Sequence, residues 1–67
     1  MKIFAERLRD LRLEKGLTIR KLAQATGISD VAISRYENEL RSPSAECLIL
    51  LATYFGVSTD YLLGLED

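Results

Sequence analysis

The stretch from Thr18 to Asn38, TIRKLAQATGISDVAISRYEN, constrains the fold of this chain more than any other. Thr18 can begin a helix, because its hydroxyl can accept a hydrogen bond from a free backbone N–H in the first turn. Gly27 can end that helix, because glycine adopts the left-handed backbone conformation at little cost. Ser29 can then begin a second helix at once. This second helix is too short to be stable alone, so the pattern predicts a helix-turn-helix.

Two pairs of apolar residues support the same helix starts. Leu17 and Leu22 flank the first start, and Ile28 and Ile33 flank the second. Both pairs have the spacing of a hydrophobic staple, in which the residue before the cap packs on the first turn. The direction in which the chain enters each helix is therefore also encoded locally.

A further helix is predicted before this motif, over residues 3–15, with Gly16 as its end. Apolar residues recur there at helical spacing: Phe4, Leu8 and Leu11, with Ile3 alongside. This stripe supplies one wall of a hydrophobic core.

Two more helices are predicted after the motif. Ser44, which follows Pro43, can cap a fourth helix that ends at Gly56, and Ser58 can cap a short fifth one. The core stripe of the fourth helix is Leu48, Leu51, Ala52 and Phe55, and the fifth helix contains Tyr61, Leu62 and Leu63. The sequence thus predicts an all-α fold, a compact bundle of five short helices in a single domain spanning residues 1–67.

Composition narrows the classes of function. The chain has 67 residues and no histidine, and its one cysteine, Cys47, has no second ligand or activating base. No glycine-rich phosphate loop and no cluster of metal ligands is present, so we expect neither an enzyme nor a cofactor nor a metal site. No apolar run approaches the roughly 20 residues of a membrane span, and no signal peptide is apparent. We therefore expect a cytoplasmic protein without a membrane partner.

The charge is distributed unevenly along the chain. The net charge of −1 argues against nucleic acid, which usually binds basic domains. However, all nine Lys and Arg residues lie between Lys2 and Arg41, against six acidic residues there, while the chain from Ser42 onward has four acids and no base. Such a dipolar molecule can be oriented toward DNA, with binding that is weak and sensitive to salt.

The predicted third helix, from about Asp30 to Asn38, has an unusual outer face. Ile33, Tyr36 and Ala32 should point inward, which leaves outside the residues Asp30, Val31, Ser34, Arg35 and Asn38. Short side chains allow a helix to enter the major groove, where arginine can bond guanine, valine can contact a thymine methyl and aspartate can accept from cytosine. The alternative for Arg35 and Val31 is a purely structural role, and the alternative for Asp30 is an acid that only stabilises the helix N-terminus.

The residues of this motif resemble a known family. LAQATGIS followed by VAISRYEN is similar to the DNA-binding domain of the Cro/CI-type (XRE-like) repressors of bacteria and their phages. RLRDLRLEKGLT resembles the family's first helix and SPSAECLILLATYFGVSTDYLL its fourth and fifth, so the likeness runs from about Phe4 to Leu63. The resemblance implies a lambda-repressor-like fold and a sequence-specific regulator of transcription, expected to repress, that places the third helix in the major groove of double-stranded DNA. In the family, the positions of Asp30, Val31 and Arg35 commonly read bases.

A second set of residues is expected to contact phosphates. It consists of Thr18, Arg20, Lys21, Ser29, Asn38, Arg41 and Ser42. A solvated charged surface is the alternative for Arg20 and Lys21. The sequence departs from the family at Glu39, where glycine is common, and at Ile19, where polar residues often bind phosphate. We expect either that Asn38 takes a positive φ in place of that glycine or that the loop runs differently.

The resemblance also implies an internal ion pair. In lambda-type repressors an arginine at the position of Arg12 pairs with a glutamate at that of Glu37. We expect this pair to stabilise the fold and not to read DNA. The alternative is a solvated Arg12 whose aliphatic part packs on the helix.

We further expect a weak homodimer on an operator with an inverted repeat, since one helix reads few base pairs and two half-sites lie about 34–36 Å apart. Tyr61 and Leu62 are the favoured contacts, by resemblance to repressors that pair through this segment. The second choice is a leftover apolar strip on the fourth helix, Cys47, Leu50 and Tyr54. This strip and the acidic pI of about 5.3 also support an alternative function, an antitoxin-like or adaptor module whose main partner is a protein.

Overall fold

The computed structural model describes all 67 residues and contains five α-helices and no strand. The helices are α1 (Lys2–Glu14), α2 (Ile19–Thr26), α3 (Asp30–Glu37), α4 (Ala45–Phe55) and α5 (Thr59–Leu63). They pack into a body of 27 × 23 × 20 Å. The predicted all-α architecture is confirmed. None of the helices is long and apolar enough to cross a membrane.

The local signals at the helix ends act as predicted. Thr18 Oγ1 accepts a hydrogen bond from the Lys21 N–H at 3.1 Å, and Ser29 Oγ accepts one from the Ala32 N–H at the same distance. Ser44 and Ser58 cap α4 and α5 in the same way. Gly27 ends α2 at φ = 78°, a conformation that is costly for residues with a Cβ atom.

The core lies where the five helices meet. Its buried apolar residues come from every helix and from the turn before α3: Phe4, Leu8, Leu22, Ile28, Ala32, Ile33, Tyr36, Leu51, Ala52 and Leu62. α3 packs against both α1 and α2, and the rings of Phe4 and Tyr36 meet edge to face at 5.8 Å. α3 is therefore held on its inner side by two other helices, which leaves its outer side free.

Ile3 is placed differently from the prediction. We expected it beside the buried stripe of α1, but 48% of the residue is exposed. Its side chain instead covers Gly64 at the end of α5, so closely that a Cβ atom there would lie 2.8 Å from Ile3 Cγ2. α1 thus turns its true core residues, Phe4, Ala5 and Leu8, toward α3, and Ile3 falls on the rim.

The loop after α3 follows neither of the two expected courses. Asn38 keeps φ = −95°, while Glu39 itself adopts the left-handed conformation, with φ = 61°. The Glu39 N–H donates to Tyr36 O at 3.2 Å and the Leu40 N–H donates to Arg35 O at 2.8 Å. These two bonds form a Schellman motif, which satisfies the last carbonyls of the helix and so offsets the strain at a residue that is not glycine.

Candidate nucleic-acid interface

The outer face of α3 is exposed as the sequence predicts. Asp30, Arg35 and Asn38 are exposed, Ser34 is half-buried, and 57% of Val31 is open to solvent. A helix of eight residues that buries Ile33 and Tyr36 and presents these shorter side chains outward has the shape that a DNA major groove admits. The geometry brings all four predicted base-reading residues to one surface.

Two of the outward polar residues are oriented by hydrogen bonds within α3. Asp30 Oδ1 accepts a hydrogen bond from the Val31 N–H at 2.8 Å, so this carboxylate stabilises the N-terminus of its own helix. Asn38 Nδ2 donates to Ser34 O at 2.8 Å and lies 3.4 Å from Ser34 Oγ. The Asn38 side chain therefore ties down the other end of the helix, with its amide oxygen free to accept.

The predicted ion pair between Arg12 and Glu37 is present and is bidentate. Arg12 Nε lies 2.7 Å from Glu37 Oε2, and Arg12 Nη2 lies 2.9 Å from Glu37 Oε1. Only 1% of the Glu37 side chain and 12% of the Arg12 side chain are exposed. The hydrogen bond to Glu37 is the main cause that raises the pKa of Arg12. Arg12 Nη1 also donates to Leu17 O at 2.9 Å, so one guanidinium joins α1, the start of α2 and the end of α3.

A second arginine at this carboxylate was not predicted. Arg9 Nε lies 3.3 Å from Glu37 Oε1, with 48% of the Arg9 side chain exposed. Arg9 lies three residues before Arg12 and so on the same face of α1, a spacing that could have indicated it. Glu37 thus neutralises two cations at the end of the outward-facing helix.

The predicted phosphate-contacting residues surround α3 and are all exposed: Thr18, Arg20, Lys21, Ser29, Asn38, Arg41 and Ser42. The only ion pairs in the chain are those of Glu37, so Arg20, Lys21, Arg35 and Arg41 have no carboxylate partner. Cations without an internal partner can neutralise an external anion without breaking any bond of the fold.

A shallow groove runs along the outer face of α3, and we call it the α3 groove. It is lined by Ile19, Asp30, Val31, Ser34, Arg35 and Leu40. Leu40, which sequence reasoning missed, is the most exposed large apolar residue of the chain, at 76%. The sequence does contain a signal for this exposed residue, since Leu40 is an isolated leucine between Glu39 and Arg41 in a polar loop.

Comparison with known proteins agrees with this geometry. Residues 8–62 match a family model described as helix-turn-helix. The chain belongs to the Cro/CI-type (XRE-like) helix-turn-helix family.

Its relatives are regulators of transcription by name. It is 40% identical, over 97% of its length and 58% of the relative's, to the uncharacterized HTH-type transcriptional regulator YobD of Bacillus subtilis. It is 36% identical, over 92% of its length and 49% of the relative's, to the HTH-type transcriptional regulator ImmR of the same organism. It is 42% identical, over 91% of its length and 48% of the relative's, to DdrOP3 of Deinococcus deserti. The chain thus spans about half the length of these relatives.

One residue of the proposed dimer surface of this helix-turn-helix domain is excluded by its burial. Leu62 has no exposed surface and belongs to the core, because α5 is amphipathic and turns this side chain toward the other helices. Its neighbour Tyr61 is half-buried beneath Arg7, whose guanidinium carbon lies 4.2 Å from the centre of the ring. Arg7 Nη1 also donates hydrogen bonds to Tyr61 O and Glu66 O. Tyr61 therefore presents only part of its surface to a partner.

The apolar strip on α4 is likewise only partly available. Cys47 and Tyr54 pack against the core, and the Tyr54 ring has Lys15 Nζ at 4.9 Å from its centre. Leu50 is 46% exposed and its neighbour Ile49, which was not predicted, is 56% exposed. The open apolar surface of α4 is thus Ile49 and Leu50.

Proposed function

We propose that this domain binds double-stranded DNA sequence-specifically to regulate transcription, expected to repress, by placing α3 in the major groove. The observation that supports this most is the outward face of α3. Arg35 stands there without a carboxylate partner, beside Val31 and Ser34, while the Arg12–Glu37 pair holds the helix from behind. A protein with this role would act in the cytoplasm, where bacterial DNA lies.

The chemistry of each side chain suggests its role. Arg35 can donate two hydrogen bonds to O6 and N7 of a guanine, the commonest specific contact in DNA recognition. Val31 can contact a thymine methyl, Asp30 can accept from cytosine N4, and Ser34 can bond either kind of base edge. The unpaired cations around α3, with the capping hydroxyls of Thr18 and Ser29, would position the backbone of the duplex.

Substitutions at Arg35 and Lys21 separate base reading from phosphate contact. Against an operator selected from random duplex DNA, Arg35→Ala should cost about 1–3 kcal/mol and relax the preference at one base pair. Arg35→Lys keeps the charge but lacks the two-pronged geometry, so it should lose the same preference. Lys21→Ala should weaken binding to all sequences alike and lower the salt slope by about one. An equal loss for specific and random DNA in Arg35→Ala would contradict the base-reading role.

We also propose that two copies bind an operator with inverted half-sites about 34–36 Å apart. The end of α5 is the favoured contact. Tyr61 belongs to α5 and is partly exposed. Leu65, which is 72% exposed, follows shortly after α5 in the chain. The strip of Leu50, Tyr54 and Cys47 is the second choice. Four acids without a base in this third of the chain would repel across the two-fold axis, so the dimer should be weak and completed by DNA.

Sedimentation on a duplex with both half-sites tests the dimer. Two copies per duplex are expected at saturation, with tighter binding than to a duplex that carries one half-site. A single copy per duplex, with no preference for the palindrome, would reject the dimer and leave base reading by α3 intact.

An antitoxin-like or adaptor function remains the second candidate, supported by the exposed pair Ile49 and Leu50 on the acidic third of the chain. Replacement of Leu50 by glutamate distinguishes this protein-interaction function from DNA binding. If α4 serves only a protein partner, this variant should lose that partner while a monomer still binds a single half-site normally.

A further inference from the structure

Leu40 is the most exposed large apolar residue of the chain, at 76%, and it lies beside the face that the proposed function assigns to DNA. No core residue covers it, and loops of small domains are normally polar at such positions. Other exposed large apolar residues lie outside the α3 groove: Met1, Ile3, Leu13, Ile49, Leu50 and Leu65. The feature that sets Leu40 apart is its position next to Arg35.

The backbone after α3 places Leu40 there. The hydrogen bond from its N–H to Arg35 O, at 2.8 Å, closes the Schellman motif in which Glu39 is left-handed. In this motif the residue in the position of Leu40 packs over the residue four before the left-handed one, which here is Arg35. In most helices that partner faces the core, but here it faces outward. The same geometry that ends the helix therefore carries a leucine onto its outer surface.

Leu40 adds an apolar side chain to the lining of the α3 groove. Val31, 57% exposed, and Ile19, half-buried, supply two more apolar side chains to the α3 groove. Ser34, Asp30 and Arg35 complete its lining. The apolar residues of the groove thus share one lining with Arg35, where a small apolar group on a base edge could contact them.

We propose that Leu40, with Val31 and Ile19, binds the C5-methyl group of a pyrimidine next to the guanine that Arg35 contacts. This inference rests on the proposed function. The C5-methyl of thymine is the one apolar group that unmodified base pairs present in the major groove, and 5-methylcytosine presents the same group. Leu40 is thus a specificity-determining residue, and the half-site contains a methylated pyrimidine beside a guanine.

Removing the methyl group alone tests the contact. In an operator selected from random DNA, each thymine is replaced in turn by deoxyuridine, which differs only by that methyl. Burial of one methyl predicts binding about fourfold weaker at one position per half-site. In Leu40→Ala the same replacement should have almost no effect, because the partner of the methyl is gone. Leu13→Ala is the matched control, since Leu13 is an exposed leucine of α1 outside the α3 groove and should keep the full fourfold effect.

The base returned by the selection identifies the source of the methyl. Thymine beside the guanine means that the base itself supplies it. A cytosine there whose methylation strengthens binding about fourfold, and does so only with Leu40 present, means that methylated DNA is the ligand. A cytosine whose methylation has no effect would overturn the proposal.

A wrong methyl contact and a wrong proposed function would give different experimental results. If Arg35→Ala abolishes base preference but no deoxyuridine position depends on Leu40, the methyl contact is wrong and base reading by α3 stands. If selection returns no sequence preference, both are wrong. Thermal melts of Leu40→Ala and Leu13→Ala should match the wild type, since both side chains are exposed.

Discussion

Replacing Glu37 with glutamine should destabilise this domain more than the replacement of any exposed acid. The variant keeps the shape of the side chain but removes the negative charge that Arg12 contacts at 2.7 and 2.9 Å. Because only 1% of the Glu37 side chain is exposed, water cannot replace the lost partner of the arginine. One terminal oxygen also becomes an NH2 group that must face guanidinium donors.

The magnitude follows from the burial. Removing one partner of a buried ion pair costs about 3–5 kcal/mol, and 12% exposure of the Arg12 side chain places the expected loss near the lower limit. For a domain of this size, about 3 kcal/mol corresponds to a fall in Tm of about 12–24 °C. Arg9 is farther from the carboxylate and 48% of its side chain is exposed, so Arg9→Ala should cost at most about 1 kcal/mol.

Urea unfolding followed by circular dichroism measures these differences. Glu14→Gln is the matched control, because Glu14 is an exposed acid of α1 that forms no ion pair. A double variant, Arg12→Met with Glu37→Leu, should be more stable than Glu37→Gln, since it leaves no buried charge without a partner. If Glu37→Gln unfolds within about 1 kcal/mol of the wild type, the pair does not carry the stability assigned to it.

Three shorter predictions concern the backbone and pH. Gly27→Val should destabilise by about 1–2 kcal/mol through left-handed strain alone, because no atom lies within 4 Å of the new Cβ; an unchanged melt would contradict this. Glu39→Gly should stabilise by about 1 kcal/mol in urea unfolding, because it relieves the strain at φ = 61°; a loss of stability would show that the carboxylate matters more. Burial raises the pKa of Tyr36 from 10.0 to about 12, so stability should be full below pH 10 and fall between pH 10 and 12; Tyr36→Phe should remove this dependence.

The outer face of α3 shows how much could be predicted for the candidate site. The helical periodicity of the sequence alone predicts that one side of the helix carries Asp30, Val31, Ser34 and Arg35, and the structure has them there. The groove beside them could not be predicted, because Leu40 comes after the helix ends and reaches that face only through the left-handed turn at Glu39. The expectation that Asn38 takes a positive φ or that the loop runs differently was wrong, because Glu39 itself adopts the left-handed conformation within a complete Schellman motif.

The limits of periodicity are clearest at the two ends of the chain. Helical spacing placed Ile3 beside the buried stripe of α1, and resemblance placed Leu62 at a dimer surface. However, Ile3 lies on the rim and Leu62 lies in the centre of the core. A stripe of apolar residues shows that a helix has a buried side, but the width of that side depends on the helices that pack on it. Burial at the edges of a stripe is therefore decided by tertiary contacts.

The sequence by itself determined the helices and their ends. At each of four helix starts, a side-chain oxygen accepts a hydrogen bond from the backbone N–H three residues later; the residues are Thr18, Ser29, Ser44 and Ser58. No other part of the chain is needed for these bonds. Only the tertiary structure decided which distant groups meet. Arg7 reaches Tyr61 across 54 residues, and nothing local in either residue specifies the other. Local bonds depend on neighbours in sequence, whereas such contacts form only after packing has brought the helices together.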